Sequence, residues 1–199
     1  MRVAAVILAA GASRRLGRPK QLVRVGVGAG SETLLDRTLR VVHEAALHTA
    51  FVVLGAHADV IEAEAELDGA VIVRNAAWET GMASSIHAGM NAVRAQVSEV
   101  EAVMLLVCDQ PRLTATHLGA LMDAAAQGAI VASVYGGVPG VPAIFPKSAF
   151  AQLMELSGDA GARKLLQDEA VIGVAFDHGV IDVDTEEDLL RMQQDPAQG

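Results

Sequence analysis

One cysteine, Cys108, stands alone in the 199 residues. That excludes an internal disulfide framework and suits a reducing, cytoplasmic compartment. None of the six histidines lies at a compact ligand spacing with it, which argues against a structural zinc site. Aromatic residues make up only 3% of the chain, and the 52% apolar content comes mainly from Ala, Val, Leu and Ile. No apolar run approaches the roughly eighteen residues needed to cross a bilayer, so no membrane association is expected. The opening MRVAAVILAAGASRR superficially resembles a secretion signal, but its apolar part is short and ends in a basic loop. A first strand is expected there instead. Repeats, low-complexity stretches and linkers are absent too. Residues 1–199 are therefore expected to form a single domain with a substantial core.

Acidic residues are missing from residues 1–30, which hold six basic ones: Arg2, Arg14, Arg15, Arg18, Lys20 and Arg24. The whole chain carries −9, so the other 169 residues carry −15. A protein this acidic repels nucleic acid, and no basic stripe recurs later, so no nucleic-acid partner is expected. A cationic loop on such a chain points to a small anion held at one place.

Apolar runs of strand length alternate with longer segments of helical period. Val3–Ala9 is unbroken and lacks period-two alternation, as a strand buried on both faces would. Strands are also expected at 51–54, 71–73, 102–107, 130–134 and 171–176, with 180–183 leading into a last helix. Helices are expected at 33–47, 58–67, 83–96, 114–127 and 161–168. In the first of these, Leu34, Leu35, Leu39, Val42 and Ala46 form one stripe. The stretch YGGVPGVPAIFP has too many breakers for a helix. This alternation predicts an α/β fold, a mostly parallel sheet with helices on both faces. Such sheets bind ligands outside the carboxyl ends of their strands, which places the loops after Ala9, Val107 and Val183 at one site.

The first of these loops, LAAGASRRLGRPK over residues 8–20, fits neither the dinucleotide fingerprint nor the P-loop. Ser13 and Leu16 break the former; Arg18-Pro19-Lys20 after Gly17 breaks the latter. It nevertheless has a glycine turn after a strand, exposed N–H groups and fixed cations, which are the ingredients of phosphate binding. Asp109 ends the most apolar strand and is followed by Gln110-Pro111. It is either a carboxylate ligand for Mg²⁺ or the opening of a turn. Gly81-Met82-Ala83-Ser84-Ser85 enters a helix, with the serines as ligand contacts or helix caps. Asp182 and Asp184 flank Val183 on one side of a strand end; one is a candidate metal ligand, while Asp184 also suits a helix cap. Cys108 has no base at a readable spacing and reads as a packed strand residue.

Together, residues 8–20, Gly81–Ser85, Leu106–Pro111, Gly158–Arg163 and Asp182–Leu189 resemble the MobA-like nucleotidyltransferases, in order along nearly the whole chain. The resemblance implies a Rossmann-like nucleotidyltransferase fold. Within that group the chain is most similar to the molybdenum cofactor cytidylyltransferases. Ala10 points to that CTP-using branch, since guanylyl-transferring relatives typically show Gly there. Leu16 replaces a usual Met, and Val141 stands where the family often has His or Asn.

What this implies is transfer of CMP from CTP to a molybdopterin-type phosphate acceptor, with release of pyrophosphate. Leu8, Ala9, Ala10, Gly11, Ser13, Gly17, Lys20, Gly81, Ser84, Ser85 and Asp109 are the implied nucleotide-binding residues. Arg15 and Lys20 would grip the phosphates, and Asp109 with Asp182 or Asp184 would hold Mg²⁺. Lys20, Arg15 and Asp109 are the implied catalytic residues. A molybdoenzyme or its chaperone is the implied recipient of the product. The competing expectations are a guanylyl or sugar-phosphate nucleotidyltransferase, a cofactor-delivery protein and a dye-reducing oxidoreductase.

Overall fold

The computed structural model describes residues 1–26, 31–47, 49–159, 161–168, 170–177, 183, 185 and 187–189. In chain order the strands are β1 (Val3–Ala9), β2 (Arg24–Val25), β3 (Glu32–Thr33), β4 (Ala50–Leu54), β5 (Ala70–Arg74), β6 (Ala102–Val107), β7 (Val131–Tyr135), β8 (Val138–Pro146) and β9 (Ile172–Ala175). The helices are α1 (Leu34–Glu44), α2 (Ala58–Glu64), α3 (Met82–Gln96), α4 (Ala115–Ala125), α5 (Phe150–Met154) and α6 (Arg163–Leu166). Seven strands make one sheet in the order β5-β4-β1-β6-β8-β7-β9, and β2 and β3 form a small separate ribbon. Every pairing in the large sheet is parallel except those of β8 with β6 and with β7.

β1 shows why a run without alternation belongs in the middle. Ala5 and Ile7 face one core, with Leu35, Leu39 and Val42 of α1 and Leu118 and Leu121 of α4. Ala4 and Val6 face the other, with Ile86, Met90 and Val93 of α3 and Leu153 of α5. Each Leu, Ile, Val or Met side chain removed from water here contributes about 1.5–3 kcal/mol, so both faces of the strand must be apolar.

α1 starts at a capping box. Thr33 accepts from the Asp36 N–H at 3.1 Å, and Asp36 accepts from the Thr33 N–H at 3.4 Å. The helix ends three residues before the expected Leu47, because Ala46 turns left-handed at φ +59°. Ala46 is exposed, and buried Ala45 takes its place against the core.

The proline-bearing stretch expected only to be non-helical is the strand β8, in the sheet interior. Its three prolines are tolerated for local reasons. Pro139 pairs only with β7, at Val134, beyond the β6 pairing that stops at Ala143. Pro142 falls in the register shift after Ala132, and Pro146 sits at the strand's end opposite Ala102. The short helix α5 had no sequence expectation, and the predicted strand residues 180–182 lie outside the described residues.

β1 and β6 lie side by side and parallel, with Leu8 opposite Val107. The loop after Ala9 and the turn at Asp109 therefore leave the same edge of the sheet. The loops after β4 and β5 join them there.

Candidate functional site

The loop after β1 is tied down at several points. The Ala10 carbonyl accepts from the Ala56 N–H at 3.0 Å. The buried Gln21 amide straddles Ala10, donating to the carbonyls of Ala9 at 2.6 Å and Gly11 at 3.1 Å. Further along, the Leu16 and Gly17 N–H groups both donate to the Ser13 carbonyl, at 3.0 and 3.1 Å. The Lys20 N–H donates to the Ser13 hydroxyl at 3.0 Å, and Leu16 is buried against Val23, Val25, Leu34 and Val183. The N–H groups at 16 and 17 are thus committed inside the turn. Of this loop, Gly11 and Arg14 line the cleft.

That cleft has a volume of about 470 Å³. The expected residues Leu8, Ala9, Ala10, Gly11, Lys20, Gly81, Ser85 and Asp109 line it. Ser13, Arg15, Gly17 and Ser84 are not among its lining residues; Arg14 takes the place expected for Arg15.

At the cleft floor the Lys20 ammonium donates a short hydrogen bond to Asp109 Oδ2. Only 20% of the lysine side chain and 15% of the aspartate side chain is exposed. Asp109 Oδ1 is buried and has no hydrogen-bond partner among the described residues. A buried acceptor left in this state costs about 1–3 kcal/mol, more when charged, and a hard cation would satisfy it. The residues present therefore fit a divalent metal with Asp109 as one ligand. Among the described residues no group of three or more His, Cys, Asp or Glu gathers to hold a metal. The remaining ligands would include phosphate oxygens and water, the usual shell of Mg²⁺.

Asp182 and Asp184 lie outside the described residues, but Val183 between them is buried, and its N–H donates to the Asp109 carbonyl at 3.0 Å. Thr185 forms a reciprocal cap with Asp188. Its hydroxyl accepts from the Asp188 N–H at 3.2 Å, and the Asp188 carboxylate accepts from the Thr185 N–H at 2.9 Å. Cys108 lines the cleft but is buried. Burial, with the charge of Asp109 next to it, pushes its thiol up to about 12, so it is no nucleophile at neutral pH.

The opposite wall is the entry to α3. Gly81 has φ +114°, and a Cβ there would lie 2.5 Å from the Gly158 carbonyl carbon. The Ala83 N–H donates to the Gly158 carbonyl at 3.1 Å. Only glycine permits Gly158 to dock this closely on the helix start. Neither serine is the cap, because the N-cap is Gly81 itself. Instead Asn75, buried at the end of β5, donates to the Ser84 and Ser85 hydroxyls at 2.8 and 3.0 Å. Ser84 Oγ lies 2.8 Å from the Gly81 carbonyl and donates to it. Ser84 thus shapes the wall from behind, while Ser85 lines the cleft.

A second cavity of about 400 Å³ shares Met82 and Asp159 with the first. Tyr135, Val138, Val141, Arg163 and Leu166 line it. Gln110, buried beside Asp109, donates to the Val141 carbonyl at 3.1 Å and so links the two cavities. Sequence reasoning missed Gln21, Asn75, Arg14 and Gln110. For the three amides the signal, if any, was a lone polar side chain beside apolar residues, a pattern with many meanings; Arg14 stood in the cationic loop next to the expected Arg15.

A family model described as MobA-like NTP transferase domain matches residues 5–174. Nicotine blue oxidoreductase of Paenarthrobacter nicotinovorans is 32% identical over 203 residues, covering 96% of each chain. Purine catabolism protein PucB of Bacillus subtilis (strain 168) is 31% identical over 198 residues, covering 92% of each. Among solved structures, a homologue of Mycobacterium tuberculosis Rv0371c from Mycobacterium sp. strain JC1 is 34% identical with a TM-score of 0.77, covering 96% of this chain and 94% of that one. Rv0371c from M. tuberculosis H37Rv in complex with manganese is 28% identical with a TM-score of 0.73, covering 96% and 98%.

Proposed function

The chain belongs to the MobA-like NTP transferase family, and on that premise we propose that it moves CMP from CTP to the terminal phosphate of a molybdopterin-type acceptor. The observation that supports this reading best is the pair of adjoining cavities. One holds the cations and Asp109, and the other is walled by β8 and α6, with Met82 and Asp159 between them.

The nucleotide lies in the first cavity with its phosphates toward Gly11, Arg14 and Lys20. Arg14 and Lys20 neutralise charge that develops on the leaving pyrophosphate. Asp109 Oδ1, with an aspartate at 182 or 184, would hold Mg²⁺, which when bound supplies neutralisation of the phosphate oxygens. That the Rv0371c relative was solved in complex with manganese supports a divalent metal in this family. An acceptor phosphate oxygen attacks the α-phosphorus, a new P–O bond forms, and the bond to the β-phosphate oxygen breaks. The attacking oxygen is already anionic, so no general base is needed, and positioning carries the rate. Arg163, at the rim of the second cavity, is placed to meet an anionic acceptor.

The test is pyrophosphate release over a panel of CTP, GTP, UTP and ATP, each with Mg²⁺ and molybdenum cofactor or a sugar phosphate. CTP with molybdenum cofactor is the expected productive pair. Turnover with GTP, or with a sugar phosphate, would move the assignment to that branch. Asp109→Ala and Lys20→Ala are each expected to lower kcat about 10²–10³-fold; unchanged turnover in both would remove their roles.

A second reading is favoured by the 32% relative named as an oxidoreductase. Against it stands the lack of a dinucleotide fingerprint in the loop after β1. NAD(P)H oxidation with a quinoid dye, in the absence of any nucleoside triphosphate, would establish it.

A further inference from the structure

The two oxygens of Asp109 are in different states. Oδ2 accepts from the Lys20 ammonium, and Oδ1 is buried without a hydrogen-bond partner among the described residues. Both side chains are mostly shielded, at 20% and 15% exposure, so solvent and salt screen the pair weakly. A divalent ion arriving alone at Oδ1 meets a carboxylate whose charge is already balanced. It also meets the ammonium across the same carboxyl group. Like charges this close, in a partly desolvated cleft, repel strongly.

We infer that Lys20 is the resident counter-cation of Asp109 in the nucleotide-free protein, and that it keeps a free divalent ion out until phosphates draw the ammonium away. Lysine suits both positions, being a compact charge on a flexible stem with three donors. Its main chain is anchored through the Ser13 hydroxyl, so only the side chain has to swing. Nucleotide and metal then bind with positive coupling, and each raises the affinity for the other by the same factor. The cleft avoids two failures: a bare carboxylate when empty, and a metal bound without substrate. The inference rests on the divalent ion assigned above to Asp109, and not on which nucleotide or acceptor is used.

The test is a Mn²⁺ titration of the full chain without nucleotide, followed by electron paramagnetic resonance. Lys20→Met and Lys20→Gln are each expected to bind Mn²⁺ at least about ten-fold more tightly than wild type, although both lose turnover. Asp109→Asn is expected to show no such gain. Lysine variants that bind Mn²⁺ no better than wild type would overturn the inference, as would a gain in Asp109→Asn. If a lysine variant is too unstable for titration, the Mn²⁺-induced rise in its melting temperature takes over. That rise must exceed the wild-type rise, and an equal or smaller one counts against the inference. No nucleotide enters the measurement, so a failure to use CTP leaves its result intact. An active enzyme with a flat titration would remove the counter-cation role alone.

Discussion

Gln21 carries no charge and no reactive group, yet it holds the strand exit and the loop after β1 in one geometry. Gln21→Leu keeps the volume but leaves the Ala9 and Gly11 carbonyls short of a donor. We expect a loss of about 1–3 kcal/mol in urea unfolding and a raised KM for the nucleotide with a smaller change in kcat. His117 makes a different prediction. The Ser133 hydroxyl donates to the Pro142 carbonyl at 2.7 Å, so His117 Nε2, 2.8 Å from that hydroxyl, must be the donor to it. Burial lowers the pKa of the ring, which stacks on Phe176 at 4.2 Å between centroids. The folded state thus binds fewer protons than the unfolded state below the ordinary histidine range. Stability is present above about pH 6.5 and falls as the pH drops below it. Urea melts between pH 7.5 and 5 should show this slope, and His117→Gln should flatten it. Cys108, with its thiol near 12, should stay inert to a disulfide reagent at pH 8 until the protein is unfolded.

At the scale of the element, the capping box on α1 is the clearest single stabiliser. Thr33→Ala removes an acceptor for the Asp36 N–H and is expected to cost about 1 kcal/mol, roughly 2–4 °C in a thermal melt. β1 and β6 were legible in the sequence because burial on both faces leaves an unmistakable apolar run. β8 was not legible. Its prolines and glycines read as breakers, and only the pairing lost toward β6 at Pro139 and the register shift at Pro142 make them acceptable. α1 was legible in its stripe but not in its end, since the chain reverses at Ala46 without a glycine to announce it.

Across the whole molecule, the legible part of the site was the part that lies in continuous segments. Lys20 and Asp109 are 89 residues apart, yet both sit in stretches whose chemistry stands out. Asn75 is a single amide after an unremarkable edge strand, and its hold on Ser84 and Ser85 exists only once β5 and α3 are packed. The loop puts Arg14 and not Arg15 among the residues lining the cleft, just after Ser13 in its left-handed conformation at φ +50°. No periodicity encodes that.

The strand exit has one more consequence, through Gln21 and Ala56. Their donors already engage the carbonyls of Ala9, Ala10 and Gly11 in succession. Three neighbouring acceptors are thereby turned toward the protein. The exit therefore has less acceptor capacity left for a visitor than a bare strand end would, and a group that came to donate there would find those three carbonyls already engaged.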